Sequence, residues 1–239
     1  MRTFTKFALV VPTLNEEASI EVLLDRTLSA LANSAVASDI LVVDDASSDR
    51  TQEIVRRYAS ERQNVHLIRR SGKRGLAGAV LHGWQQTNAD LLGVIDADLQ
   101  HPPELLPDLI QKAREGFDLV IASRYLHAAS MNEWNSIRKY LSRLGVLAST
   151  PLQRRELQVK DPLSGFFVVR GECVAGMRFQ ESGFKLLLEI LAKGKVNSVC
   201  EIPFEFGPRR FGKSKADVMT AVHYFVLLGK LALRRKPGK

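Results

Sequence analysis

Asp96 and Asp98 stand two residues apart, directly after the apolar run Leu91–Ile95. In an extended strand that spacing puts both side chains on one face, and a turn at the strand end lets both carboxylates reach one ligand. Two such groups repel unless a positive charge lies between them. Their hard oxygen atoms suit Mg²⁺ or Mn²⁺, which commonly take one or two carboxylates together with substrate phosphates. The pair would serve equally as a solvated or capping turn ahead of the helix signalled by Pro102-Pro103-Glu104.

Two more polar clusters follow apolar runs in the same way. Asp44-Asp45-Ala46-Ser47-Ser48-Asp49 comes after Asp39–Val43. Ser48 or Asp49 reads as the N-cap of a helix over Thr51–Tyr58, which leaves Asp44 and Asp45 to be explained. A carboxylate just past a strand accepts hydrogen bonds from a ribose or base in dinucleotide sites. Pro12-Thr13-Leu14-Asn15-Glu16-Glu17 is either a turn with a helix start or a wall of a nucleotide pocket. At Gly72–Gly78 the glycine spacing is not Gly-x-Gly-x-x-Gly, so a nucleotide would be held without that phosphate loop.

The elements that carry these clusters alternate. Phe7–Val11, Asp39–Val43, Val65–Ile68, Leu91–Ile95 and Asp118–Ile121 read as strands, and Glu17–Leu31, Asp49–Ser60, Gly75–Thr87 and Pro103–Glu115 as helices. That order gives βαβ units and a mainly parallel sheet, whose ligands sit at the carboxyl ends of the strands. Three clusters at three strand ends therefore point to one shared site. Farther on come a basic amphipathic stretch at Trp134–Thr150, a polar connection Pro151–Lys160, the apolar Phe166–Val169 and a strand over Val196–Phe206. The basic Pro208–Lys215 and the apolar Ala216–Leu233 complete the order, before a tail rich in Arg and Lys.

At 239 residues and 45% apolar content the chain can bury a full core as one unit. A formal charge of +8 and a pI near 9.7 favour anionic partners. Cys173 and Cys200 form no CxxC pair, so neither a disulfide framework nor a zinc site is indicated, and a reducing cytosolic setting fits. Polar Met1-Arg2-Thr3 runs straight into Phe7–Val11 without a signal-peptide pattern, so export is not expected. The apolar stretch Val218–Gly229 has 12 residues, whereas crossing a bilayer alone takes about 20.

Taken in order, several motifs resemble the inverting family 2 glycosyltransferases of GT-A fold, in their dolichol-phosphate mannosyltransferase-like branch. They are Val11–Glu16, Val43–Asp49, Asp96–Pro102, Ala122-Ser123-Arg124-Tyr125, Asp161-Pro162-Leu163-Ser164-Gly165-Phe166 and Arg209–Lys215. The resemblance implies an α/β, Rossmann-like three-layer fold with a mainly parallel central sheet, a catalytic domain over 1–215 and a C-terminal amphipathic segment with basic tail over 216–239. It places Pro12, Leu14, Glu16, Val43, Asp44, Asp45, Asp96, Ala97, Asp98, Arg209 and Lys215 at the nucleotide sugar. Asp96, Asp98 and Gln100 are implied at a Mg²⁺ or Mn²⁺ ion, and Arg124, Arg138 and Ser142 at the phosphate of the acceptor. Asp98, Arg124, Arg209 and Lys215 would be the catalytic group. Leu14 departs from the tyrosine common in that loop, which leaves donor choice open. Arg138 and Ser142, four residues apart, share a face if that stretch is helical.

The implied reaction moves a hexose from a nucleotide sugar, GDP-mannose favoured and a UDP-hexose possible, to a polyprenyl phosphate. The lipid phosphate arrives already ionised, so alignment and neutralisation of the leaving diphosphate matter more than a general base. Apolar 218–228 followed by Lys230, Arg234, Arg235, Lys236 and Lys239 fits a helix lying in the headgroup layer of a cytoplasmic membrane face, although the same stretch would also cover a sheet. Two rivals remain: transfer to a saccharide or protein hydroxyl, and a noncatalytic nucleotide-sugar or membrane-surface module. Nucleic acid is not an expected partner, since the basic segments lack interleaved aromatics.

Overall fold

The computed structural model describes residues 3–34, 36–71, 75–126, 146, 149–150, 153–179 and 186–205. Within them lie seven strands: Lys6–Thr13 (β1), Ala37–Asp44 (β2), Val65–Arg69 (β3), Leu91–Val94 (β4), Leu119–Ser123 (β5), Phe167–Arg170 (β6) and Val199–Pro203 (β7). They form one sheet in the order β3-β2-β1-β4-β6-β5-β7. The pairings β1 with β2, β1 with β4, β2 with β3 and β5 with β7 are parallel, whereas β6 is antiparallel to both its neighbours.

Both faces of this sheet are covered, which is why Phe7–Val11 is apolar without alternation. On one face Phe7, Leu9 and Val11 pack with the helices Ile20–Leu31 (α1), Thr51–Glu61 (α2) and Leu106–Glu115 (α4). On the other, Ala8 and Val10 meet Leu76–Trp84 (α3) and a helix over Leu186–Lys193. The buried positions of α1, namely Ile20, Leu23, Leu24, Thr27 and Leu31, repeat at helical spacing and make one inward stripe.

The order places the functional rim. The chain leaves β1 toward β2 and β3, then returns to place β4 on the other side of β1, so the sheet changes direction of growth beside β1. Open α/β sheets hold ligands at the carboxyl ends of the strands at such a switch. Being antiparallel, β6 brings its beginning, not its end, to the same rim: Phe167 sits opposite Val94 and Ile121.

Element boundaries differ locally from the sequence reading. Residues 16–19 form a turn in which the N–H groups of Ser19 and Ile20 both donate to Glu16 O, at 3.1 and 2.9 Å, so the first helix starts at Ile20 rather than Glu17. The N-cap of α2 is Arg50 rather than Ser48 or Asp49, yet Asp49 Oδ1 still accepts the Thr51 N–H at 3.0 Å from one residue farther out. Pro103–Glu115 opens as a 3₁₀ turn over Pro103–Leu105 before α4. The expected strand over Val196–Phe206 is confined to β7. Residues 134–145, 208–215 and 216–239 lie outside the described residues.

Candidate active site

Each of the three sequence clusters contains one non-glycine residue with a left-handed backbone: Asn15 (φ 55°), Ala46 (φ 59°) and Leu99 (φ 61°). That conformation costs an L-residue roughly 1–2 kcal/mol and concentrates at sites whose surroundings hold it in place. The holding contacts are visible between the loops after β1 and β2. Asn15 N–H donates to Ser47 Oγ at 2.8 Å, Ser48 N–H returns to Asn15 Oδ1 at 2.8 Å, and Glu16 N–H meets Thr51 Oγ1 at 2.8 Å. Glu17 and Asp49 add a further cross-loop bond of 3.1 Å from Glu17 N–H to Asp49 Oδ2.

The two carboxylates after β2 serve this framework. Asp44, with no solvent exposure, accepts from Thr13 Oγ1 at 3.0 Å, Ser47 N–H at 2.9 Å, Gln52 Nε2 at 2.6 Å and the Ser47 hydroxyl. Its side chain thus shapes the loop from within. Asp45 is gripped bidentately by Arg70, at 2.6 Å from Nε and 2.8 Å from Nη2, and accepts the Gly75 N–H at 2.7 Å. Arg70 Nη2 also reaches Gly75 O at 3.0 Å, so the ends of β2 and β3 and the start of α3 are clipped together. Val43 and Ala97 are core residues, Val43 packing with the α3 face and Ala97 with the opposite one. Pro12, Leu14 and Glu16 are half-buried along the rim.

After β4 the pattern changes. Asp96 and Asp98 are both half-exposed, and Gln100, buried, sends its N–H back to Asp98 Oδ1 at 3.1 Å. Beside them His101 is enclosed by Phe166 and Phe204, with ring centroids 5.7 and 5.5 Å away, and its Nδ1 lies 3.8 Å from Asp96 Oδ2. Burial, aided by the Arg124 charge and opposed by Asp161, pushes His101 down to about 3, so its imidazole is neutral at physiological pH. It contributes a neutral wall beside Asp96.

At the end of β5, Arg124 faces fully buried Asp161 through a two-pronged pair, Nε to Oδ2 and Nη2 to Oδ1, both 2.7 Å, while Arg124 N–H adds 3.0 Å to Oδ2. Burial lowers the pKa of this guanidinium, but the hydrogen bonds and charge of Asp161 outweigh it and the net shift is upward, so the cation is permanent. The loop carrying Asp161 is held by Glu201 of β7, whose Oε2 and Oε1 accept the N–H groups of Lys160 and Asp161 at 2.8 and 3.0 Å. Asp161 belonged to a motif visible in the sequence, but its pairing with Arg124, across 37 residues, was not. Glu201 offered only the weak signal of a lone charge inside an apolar strand. Arg138, Ser142, Arg209 and Lys215 lie outside the described residues.

The rim therefore joins Pro12, Leu14, Glu16, Asp45, Asp96, Asp98 and Arg124 at the carboxyl ends of β1, β2, β4 and β5. A cavity of about 690 Å³ elsewhere, lined among others by Trp84, Asp90, Arg170 and Phe179, adjoins the opposite strand ends and holds none of these clusters.

A family model described as Glycosyl transferase family 2 matches residues 8–177. The chain belongs to glycosyl transferase family 2. The chain is 40% identical to the dolichol-phosphate mannosyltransferase of Pyrococcus furiosus over 92% of its own length and 61% of that protein, so it spans about three fifths of that relative's length. It is 33% identical to the undecaprenyl-phosphate mannosyltransferase of Micrococcus luteus, over 86% of this chain and 85% of that one. Among solved structures, glucosyl-3-phosphoglycerate synthase from Mycobacterium tuberculosis, in complex with Mn²⁺, UDP and phosphoglyceric acid, superposes with a TM-score of 0.70. The match covers 98% of this chain and 80% of that one at 21% identity, and it establishes the GT-A fold of the chain.

Proposed function

We propose that the chain transfers mannose from GDP-mannose to a polyprenyl phosphate at a cytoplasmic membrane face. The observation that carries this reading is the placement of the permanent Arg124 cation on the same rim as the half-exposed Asp96 and Asp98. The names of the Pyrococcus and Micrococcus relatives, both mannosyltransferases acting on a polyprenol phosphate, support the substrate pair.

In this reading Pro12, Leu14, Glu16 and Asp45, with the main chains of Val43 and Ala97, line the nucleotide. Asp44 acts by shaping their loop. Among the described residues no group of three or more His, Cys, Asp or Glu is arranged to hold a metal by protein alone. A pair of carboxylates instead fits Mg²⁺ or Mn²⁺, which complete their coordination with substrate phosphates and water. Asp96 and Asp98, with Gln100 adjoining, would hold the ion. Such an ion, when bound, neutralises charge developing on the leaving diphosphate. Arg124 draws the acceptor phosphate toward the donor, and its partner Asp161 keeps the guanidinium from turning. The phosphate oxygen attacks the anomeric carbon as the GDP oxygen departs, and no proton has to move. Arg209 and Lys215 would oppose charge on the diphosphate, and Arg138 and Ser142 would share the acceptor phosphate.

Residues 1–215 form the catalytic part in this proposal, and 216–239 rest on the membrane surface. Among the described residues no helix is long and apolar enough to cross a membrane. A panel crossing radiolabelled GDP-mannose, UDP-glucose and other nucleotide sugars with polyprenyl phosphates and soluble acceptors tests the substrates. The expected result is organic-extractable label from GDP-mannose only when a polyprenyl phosphate is present. Label appearing only on a soluble hydroxyl acceptor would overturn the reading. Arg138→Ala is expected to raise the apparent constant for the lipid about 10–100-fold with little change for the donor. A change confined to the donor would remove Arg138 from the acceptor site.

A further inference from the structure

The segment leading into β6 touches both sides of the site. At its start Asp161 clasps Arg124 and is itself fixed by Glu201. In its middle Ser164, 4% exposed, donates from Oγ to Ala122 O at 2.8 Å and accepts the Phe166 N–H at 3.1 Å, which pins the turn to the end of β5. At its end Gly165 lies against Asp96. A methyl group on Gly165 would collide with Asp96 Oδ2 and stand 3.0 Å from its Cγ. The backbone of Gly165 is not in the left-handed region, so room for that carboxylate, and not conformational freedom, is what its missing side chain provides.

We propose that residues 161–165 are the spacer that sets the separation between the donor-side carboxylate of Asp96 and the acceptor-side guanidinium of Arg124, with Gly165 as the positioning residue at the donor end. The inference rests on the donor and acceptor assignments proposed above. Direct displacement needs the attacking oxygen about 3–3.5 Å from the anomeric carbon and in line with the leaving group, and a misplacement of about 1 Å can cost 100-fold in rate. A single short turn, pinned to the sheet through Ser164 and Glu201, meets that demand because it ties the two charged groups to one piece of backbone. At Gly165 the atoms that must yield to a methyl group are the tip of a side chain, not main chain. Gly165→Ala therefore folds, and what it displaces is the carboxylate.

The test measures Gly165→Ala in the full chain, by Mn²⁺ titration in the presence of GDP followed by electron paramagnetic resonance, by steady-state kinetics and by thermal unfolding. The expected variant binds Mn²⁺ about 10-fold more weakly and loses about 10–100-fold in kcat, with less than about a twofold change in KM for the polyprenyl phosphate and an unfolding midpoint close to that of the parent. Wild-type Mn²⁺ affinity and kcat would overturn the proposal. Ser164→Ala is the second variant: it unpins the same turn without adding atoms and is expected to lower kcat about 3–10-fold with both KM values nearly unchanged. A wild-type kcat in that variant also counts against the spacer. The Mn²⁺ titration, run with GDP and again with UDP, needs neither sugar nor acceptor, so it decides the donor end of the proposal even if the parent chain proves to use a different substrate pair.

Discussion

The ends of β2 and β4 carry acidic pairs on one rim, built in opposite ways. After β2, Asp44 and Asp45 are buried and filled with protein donors: two hydroxyls, two backbone N–H groups, a glutamine amide and a guanidinium. After β4, Asp96 and Asp98 stay half-exposed, and their surroundings include a glycine, a neutral imidazole and a backbone N–H. A carboxylate takes its role from what the neighbouring loops present. Where they bring N–H groups and an arginine, its charge becomes part of the scaffold. Where they leave the carboxylates half-exposed, as at Asp96 and Asp98, the environment is one that would suit a hydrated cation.

The largest expected effect separates the pairs by function. Asp98→Asn should lower turnover about 10²–10³-fold, as removing a main electrostatic stabiliser does, while the unfolding free energy changes by less than about 1 kcal/mol. Excess EDTA should produce a comparable loss in the parent, reversed by Mg²⁺ or Mn²⁺. Full activity in the variant or in EDTA would erase the distinction between the two pairs.

Asp44→Ala should do the reverse. It strands the Ser47 N–H and the Gln52 amide in a buried place, which is expected to cost about 2–4 kcal/mol in urea unfolding. An unchanged unfolding midpoint, together with weakened nucleotide binding, would make Asp44 a ligand contact rather than part of the loop framework. The smallest effect concerns the backbone between them. Ala46 is exposed and left-handed, so Ala46→Gly should raise stability by about 1 kcal/mol. A lower midpoint would mean that the loops after β1 and β2 are not held against any strain.

Much of this was legible in the sequence because periodicity and strand-end polarity are local. Leu91–Ile95 followed by Asp96 located both a strand and a candidate site without knowledge of any partner. The difference between Asp45 and Asp98 was not legible, because it depends on Arg70 and Gly75 arriving from other elements. The same holds for Gly165, whose part is defined by an approach to a residue 69 positions earlier. Phe166–Val169 was plainly apolar, but periodicity carries no information on strand direction. Its antiparallel placement between β4 and β5 is what delivers Asp161 and Gly165 to the rim.

That placement also governs how the chain can assemble as it is made. On the ribosome β5 emerges before β6, yet in the finished sheet β6 lies between β4 and β5 and joins the first four strands to β5 and β7. Until Phe167–Arg170 has cleared the exit tunnel, β4 is an open, wholly apolar edge of Leu91-Leu92-Gly93-Val94, the kind of edge that recruits other strands. A nascent chain stalled between β5 and β6 would thus hold the four strands β1 to β4 beside an unprotected edge, and this is the stage of synthesis at which a chaperone has the most to shield.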